Sequence, residues 1–142
     1  MKMKRKCASV LFVNNQQEVL LMLRDDIPSI PFPNCWTLPG GHAEIGETVE
    51  QCAVREIQEE IELQLQEFEF FKVVKYQEEA IYIFWEKANF EIADINLHEG
   101  QAIQWFSEQE ISELEAEKFA FHFKILLLDF FKVKPFVKDA KV

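Results

Sequence analysis

The sequence predicts an α/β fold, an α/β/α sandwich with a mixed sheet between helices. Two observations carry this. Runs rich in β-branched and aromatic residues alternate with amphipathic runs of helical period. The composition also holds steady over all 142 residues, without an internal repeat or a low-complexity tract. With 49% hydrophobic residues, 14 Phe among them, residues 1–142 are read as one domain with its own core.

Arg5–Val13 and Glu18–Arg24 read as two strands joined by the polar turn "NNQQ". Asp25–Asn34 carries three of the five prolines and reads as a loop. "CWTLPGGHAEIGE" follows, holding three of the four glycines (Gly40, Gly41 and Gly46), with His42 taken as a loop residue. Thr48 and Gln51 are spaced as a capping box, which predicts a helix from there to about Glu62. Phe68–Gln77 and Ala80–Phe90, separated by two glutamates, read as a long hairpin, and Ala102–Ser107 as a short strand. Ser107 and Glu110 repeat the capping-box pattern at the start of a second helix, and Phe119–Val133 reads as a closing amphipathic helix. Its apolar stripe has two readings, core or dimer contact, which leaves the chain a monomer or a homodimer.

The formal net charge is -10, so the chain should repel nucleic acid and anionic membrane surfaces. An anionic substrate would need something positive to screen its approach. No run reaches the roughly 18 apolar residues of a membrane span. The start reads as a strand and not as a signal peptide. Three cysteines (Cys7, Cys35 and Cys52) without a CxxC, and three histidines, present no zinc spacing, and reduced thiols fit a cytoplasmic protein.

The first helix raises a question of charge. On a wheel at about 100° per residue with Val49 at zero, Glu59, Glu56 and Glu60 fall at roughly 280°, 340° and 20°. Ala53, Ile57, Ile61 and Val54 occupy the neighbouring arc, so the three carboxylates border the buried side. Like charges at these spacings repel, and each ionised carboxylate near a core also loses water. Either the face is a solvated acidic one, or a divalent cation resolves the repulsion. Hard ions such as Mg²⁺ take oxygen ligands of this kind.

The stretch resembles the Nudix hydrolase family, whose box reads G, five residues, E, seven residues, then R-E-U-x-E-E-x-G-U, with U a bulky apolar residue. Gly41, Glu47, Arg55, Glu56, Ile57, Glu59, Glu60 and Leu63 match eight of the nine specified positions of a box spanning 41–63. Glu62 stands where the family has glycine. It must either extend the helix slightly or adopt a left-handed conformation at a cost of about 1 kcal/mol.

The resemblance implies the Nudix fold and a Mg²⁺- or Mn²⁺-dependent attack of water on phosphorus in a nucleoside diphosphate derivative. It implies Glu56, Glu59 and Glu60 as metal ligands, one of them also a base, with the Gly40 carbonyl as a backbone ligand. Arg55 is expected to pair with a box carboxylate, Glu47 first, and Glu44 to support the site from the loop. Arg24 is expected near the substrate phosphates, along with Gly41; the competing reading is a surface arginine paired with Asp25 or Asp26. "HEGQAIQWFS" resembles the "EGQ…W" stretch of the MutT-like branch, which makes Glu99 a fourth ligand or, otherwise, a turn residue before Gly100. Trp36 packs either a base or the core; Trp85 and Trp105 are assigned to the core.

Marks of the ADP-ribose, dinucleoside-polyphosphate and CoA branches are missing, which leaves a nucleoside triphosphate or nucleotide sugar as the small-molecule substrate. Two rival readings remain. One is a nucleotide-binding regulatory Nudix domain without turnover. The other is an isomerase on the same fold, which would need a reactive cysteine such as Cys52 or Cys35.

Overall fold

The computed structural model describes residues 5–137; the expected domain limits at 1 and 142 lie outside them. The central strand is β1, Arg5–Val13. Seven of its nine residues are buried, which suits a strand covered on both faces. It runs parallel to β6 (Glu79–Lys87) along its whole length, from Arg5 opposite Glu79 to Val13 opposite Lys87. β6 in turn forms an antiparallel hairpin with β5, Glu69–Tyr76. The turn lies at Gln77–Glu78, one residue earlier than expected, and Glu79 belongs to the strand.

On its other side β1 meets two strands. At Val13 it pairs with β2, Val19–Leu23. Near its start it pairs with the short β4, Gly40–His42, Cys7 lying opposite His42 and Ser9 opposite Gly40. β2 also pairs with β3 (Trp36–Thr37) and β7 (Ala102–Phe106). The sheet is therefore mixed: among the strands described, β1–β6 is the parallel pair and the others are antiparallel.

Side-chain alternation along β1 divides the interior in two. Ala8, Val10 and Phe12 pack with Cys52, Ala53, Ile57 and Ile61 of helix α1, Val49–Ile61. Cys7, Leu11 and Val13 face the opposite layer, built on Phe123, Leu127, Phe130 and Phe131 of helix α3, Phe123–Val133. Trp85 lies buried in this second core and Trp36 packs against it, while Trp105 borders the first. The apolar stripe of the closing helix is thus core. No helix among the described residues is long and apolar enough to cross a membrane.

Both capping boxes form. The Thr48 hydroxyl accepts from the Gln51 N–H at 3.0 Å and Gln51 Oε1 from the Thr48 N–H at 2.9 Å. Ser107 and Glu110 do the same for α2, Glu108–Glu113. The closing helix starts at Phe123, four residues later than expected. Phe119 instead bridges Trp36, the Ala120 N–H donates to the Trp36 carbonyl at 2.9 Å, and Phe121 and His122 turn through positive φ. Apolar periodicity cannot separate a buried bridge from a first helical turn. His42 also departs from expectation: it ends β4 and is not a loop residue.

At the exit of α1, Glu62 adopts the left-handed conformation, φ 56° and ψ 38°, while its N–H donates to the Gln58 carbonyl at 3.1 Å. Its carboxylate accepts from Asn96 at 3.2 Å and pairs with His98. Glu62→Gly and Glu62→Ala both remove that pairing, but only glycine removes the backbone strain. In urea denaturation Glu62→Gly is expected to be more stable than Glu62→Ala by about 1 kcal/mol. Equal midpoints would mean the conformation carries no cost.

Candidate functional site

α1 is laid against β1 by Ala53, Ile57 and Ile61, and this fixes where its glutamates point. Glu60 is carried into the interior and is 2% exposed. Its Oε1 accepts from the Gly40 N–H at 3.2 Å, and its Oε2 is the buried side-chain atom that has no hydrogen-bond partner among the described residues. Burial, then the neighbouring Glu56 and Glu99, drive its carboxyl far above the usual range. Glu99, on the loop before β7, is also raised, first by burial and then by Glu56; Arg24 opposes the shift. Glu59 remains largely open, its side chain 58% exposed.

Arg55 ties these groups to the glycine loop. Its Nε and Nη2 donate to the two oxygens of Glu47 at 2.7 and 2.9 Å, a bidentate pair of the strong kind. Nη1 reaches Glu56 at 2.9 Å and Glu59 at 3.2 Å, and Nη2 also donates to the His42 carbonyl at 3.1 Å. Arg55 holds the Glu47 carboxyl down at about 2, helped by the Glu44 N–H. The Glu44 carboxylate lies 3.9 Å from the same guanidinium.

The glycines set the clearances. A Cβ at Gly41 would stand 2.5 Å from the Glu56 carboxyl carbon. At Gly40, with φ 154°, it would stand 2.1 Å from the Ala8 carbonyl oxygen. At Gly40 the obstacle is the backbone of β1, which only glycine clears, whereas at Gly41 it is the end of the Glu56 side chain.

A cavity of about 550 Å³ opens beside them, lined by Gly40, Gly41, Glu56 and Glu99 and by Arg24. Arg24 follows directly on β2. Its Nε donates to the Pro31 carbonyl at 2.9 Å and its guanidinium sits 5.7 Å from the centre of the Phe121 ring. These contacts aim it at the cavity. Glu56 and Glu99 thus lie close enough to Glu60 to help raise its carboxyl, with Glu59 tied to Glu56 through Arg55.

Sequence reasoning did not single out Cys7, His42 and Glu79, which line the same cavity. They are at least 35 residues apart in the chain, and only strand pairing brings them together. Cys52, on α1, is fully buried with its thiol donating to the Gly41 carbonyl at 3.4 Å, and burial pushes that thiol up to about 11, which disfavours the thiolate a reactive cysteine needs.

The raised Glu60 pKa has a consequence for the metal-free protein. Unfolded, Glu60 loses its proton near 4.5; folded, it keeps it well above that. Above pH 4.5 the native state therefore binds more protons than the unfolded one, and stability falls as pH rises. Glu60→Gln should flatten this decline in chemical denaturation of EDTA-treated protein between pH 5 and 8. An unchanged slope would mean the carboxyl is not buried uncompensated.

Comparison with known proteins bears on the family and the fold. The NUDIX domain family matches residues 3–128. The chain is 46% identical over 59 residues to the m7GpppN-mRNA hydrolase NUDT17 of Xenopus laevis, covering 42% of this chain and 20% of that protein. It is 45% identical over 53 residues to a putative 8-oxo-dGTP diphosphatase of Bacillus subtilis strain 168, covering 37% of this chain and 32% of that one. The matched stretches thus span less than a third of either relative. In fold, the MutT protein from Methanosarcina mazei Go1 superposes with a TM-score of 0.76 over 94% of this chain and 97% of that one, at 22% identity. Matched along most of its length and folded as the family folds, the chain belongs to the NUDIX domain family.

Proposed function

We propose that the protein hydrolyses a diphosphate bond in a nucleoside diphosphate derivative, a nucleoside triphosphate or nucleotide sugar, with Mg²⁺ or Mn²⁺ as cofactor. One observation carries the reading. A carboxylate that is 2% exposed has an oxygen without a partner, beside two further carboxylates and a glycine cradle. Left as it is, that arrangement is costly; a hard divalent cation with oxygen ligands relieves it. Glu56, Glu59, Glu60 and Glu99, with the Gly40 carbonyl, would hold the ion. When bound, such an ion neutralises the diphosphate and draws electrons from the breaking P–O bond.

The chain's own residues do the rest. Arg55 holds Glu56 and Glu59 in place through its fork, and one of these two takes the proton from the attacking water. Glu47 and Glu44 keep Arg55 oriented from the loop side. Arg24 supplies positive charge at the cavity wall, where the phosphates enter a protein of net charge -10. Gly41 leaves the backbone bare for close approach.

The 8-oxo-dGTP diphosphatase and mRNA-cap hydrolase names of the relatives support the same class of reaction on nucleotides. The box keeps every ligand-type side chain, which favours turnover over nucleotide binding alone.

The test is a panel of nucleoside triphosphates (oxidised ones included), nucleotide sugars, ADP-ribose and dinucleoside polyphosphates with Mg²⁺, scored for release of phosphate or nucleoside monophosphate. At least one member should turn over, and EDTA should abolish it. Tight binding of one member with no turnover would favour the regulatory reading. On the active substrate, Glu59→Gln and Glu60→Gln should each lower kcat by roughly 100-fold or more with the fold intact by circular dichroism. Near-normal rates in both would overturn the assigned ligands.

A further inference from the structure

We propose that Cys7, His42 and Glu79 form a second metal site, for a divalent ion of the zinc class, separate from the carboxylates of α1. The placement follows from the sheet. β1 lies between β4 and β6, and Cys7 is directly opposite His42 on one side and Ile81 on the other. Glu79 precedes Ile81 by two residues, so its side chain leaves β6 on the same face. Alternation sends Gly41 toward α1 and Glu56, and His42 toward the opposite face with Cys7. The two clusters thus reach one shared cavity from opposite faces of β4.

The donor atoms are already gathered. His42 Nε2 lies 2.8 Å from Glu79 Oε2, Cys7 Sγ lies 3.7 Å from Glu79 Oε1, and the three ligand atoms fall within 4.8 Å of one another. Tetrahedral bonds of about 2.0 Å to nitrogen and oxygen and 2.3 Å to sulfur place ligand atoms roughly 3.3–3.6 Å apart. The group would thus need the His42–Glu79 contact to open and its widest pair to close by up to about 1.2 Å. Glu79 would also give up its distant contact with Arg5, 3.9 Å away and exposed.

The chemistry of the set matters as much as its geometry. A thiolate, an imidazole and a carboxylate suit Zn²⁺ and its relatives, whereas the all-oxygen cluster on α1 suits Mg²⁺. Three protein ligands leave a fourth position, and all three residues line the cavity, so the ion has a route in. Binding would release the Cys7 proton to solvent as the thiol becomes a thiolate. An ion held there would compete with whatever group enters that part of the cavity.

The test does not depend on hydrolysis. EDTA-stripped and dialysed protein is titrated with Co²⁺ in excess Mg²⁺. One equivalent should produce a near-ultraviolet thiolate-to-cobalt charge-transfer band and the intense visible bands of a tetrahedral ion, both displaced by Zn²⁺. Cys7→Ser should lose the near-ultraviolet band and bind Zn²⁺ more than about tenfold more weakly. Glu60→Gln should retain the band. Should Cys7→Ser fail to fold, His42→Ala and Glu79→Gln, at more open positions, should weaken Zn²⁺ binding likewise. A titration without the charge-transfer band, or a band that survives in Cys7→Ser, would overturn the proposal.

Discussion

Five hydrogen bonds from one guanidinium to oxygen acceptors hold the site together. Arg55 lies on α1, yet it reaches back with its bidentate pair to Glu47, in the loop that the helix grows from, and with a further bond to the carbonyl of His42 at the end of β4. Its remaining donors are spent on Glu56 and Glu59. Strand, loop and helix are thereby joined at a point where three carboxylates would otherwise push apart. Lysine could not do this. Its ammonium is a compact point charge, whereas the planar fork meets Glu47 with two parallel bonds and still has donors left over.

The positions that Arg55 joins are set by packing. α1 is held against β1 by Ala53, Ile57 and Ile61, all fully or almost fully buried. Glu60 sits one residue before Ile61 and is carried inward with it. The consequence is a carboxyl that desolvation and like charge hold far above its usual range, one oxygen of it unpaired. In a purely structural helix such a group would be replaced by an apolar side chain at a gain in stability. Its presence fits a site whose stable state includes a cation.

The same alternation along β1 that builds two cores also builds two chemical surfaces. One face turns hard oxygen donors toward the glycine loop. The other places a thiol, an imidazole and a carboxylate on three adjacent strands. Arg24 and the Phe121 ring border the cavity between these groups, the guanidinium 5.7 Å from the ring centre.

Much of this was legible in the sequence, because it rests on local rules. Capping boxes at Thr48 and Ser107 announce helix starts, β-branched and aromatic runs announce strands, and the spacing of Glu56, Glu59 and Glu60 puts three carboxylates on one arc whatever they pack against. The Arg55–Glu47 pair followed from the family pattern. What the sequence left open depended on distant partners. Glu62 could extend the helix or turn left-handed, and the Asn96 and His98 contacts accompany the turn. Phe119 could begin α3 or bridge a strand, and Trp36, 83 residues earlier in the chain, decided for the bridge. Cys7, His42 and Glu79 carry no spacing signal at all. Strand register alone brings them within bonding reach, and register is a property of the assembled sheet.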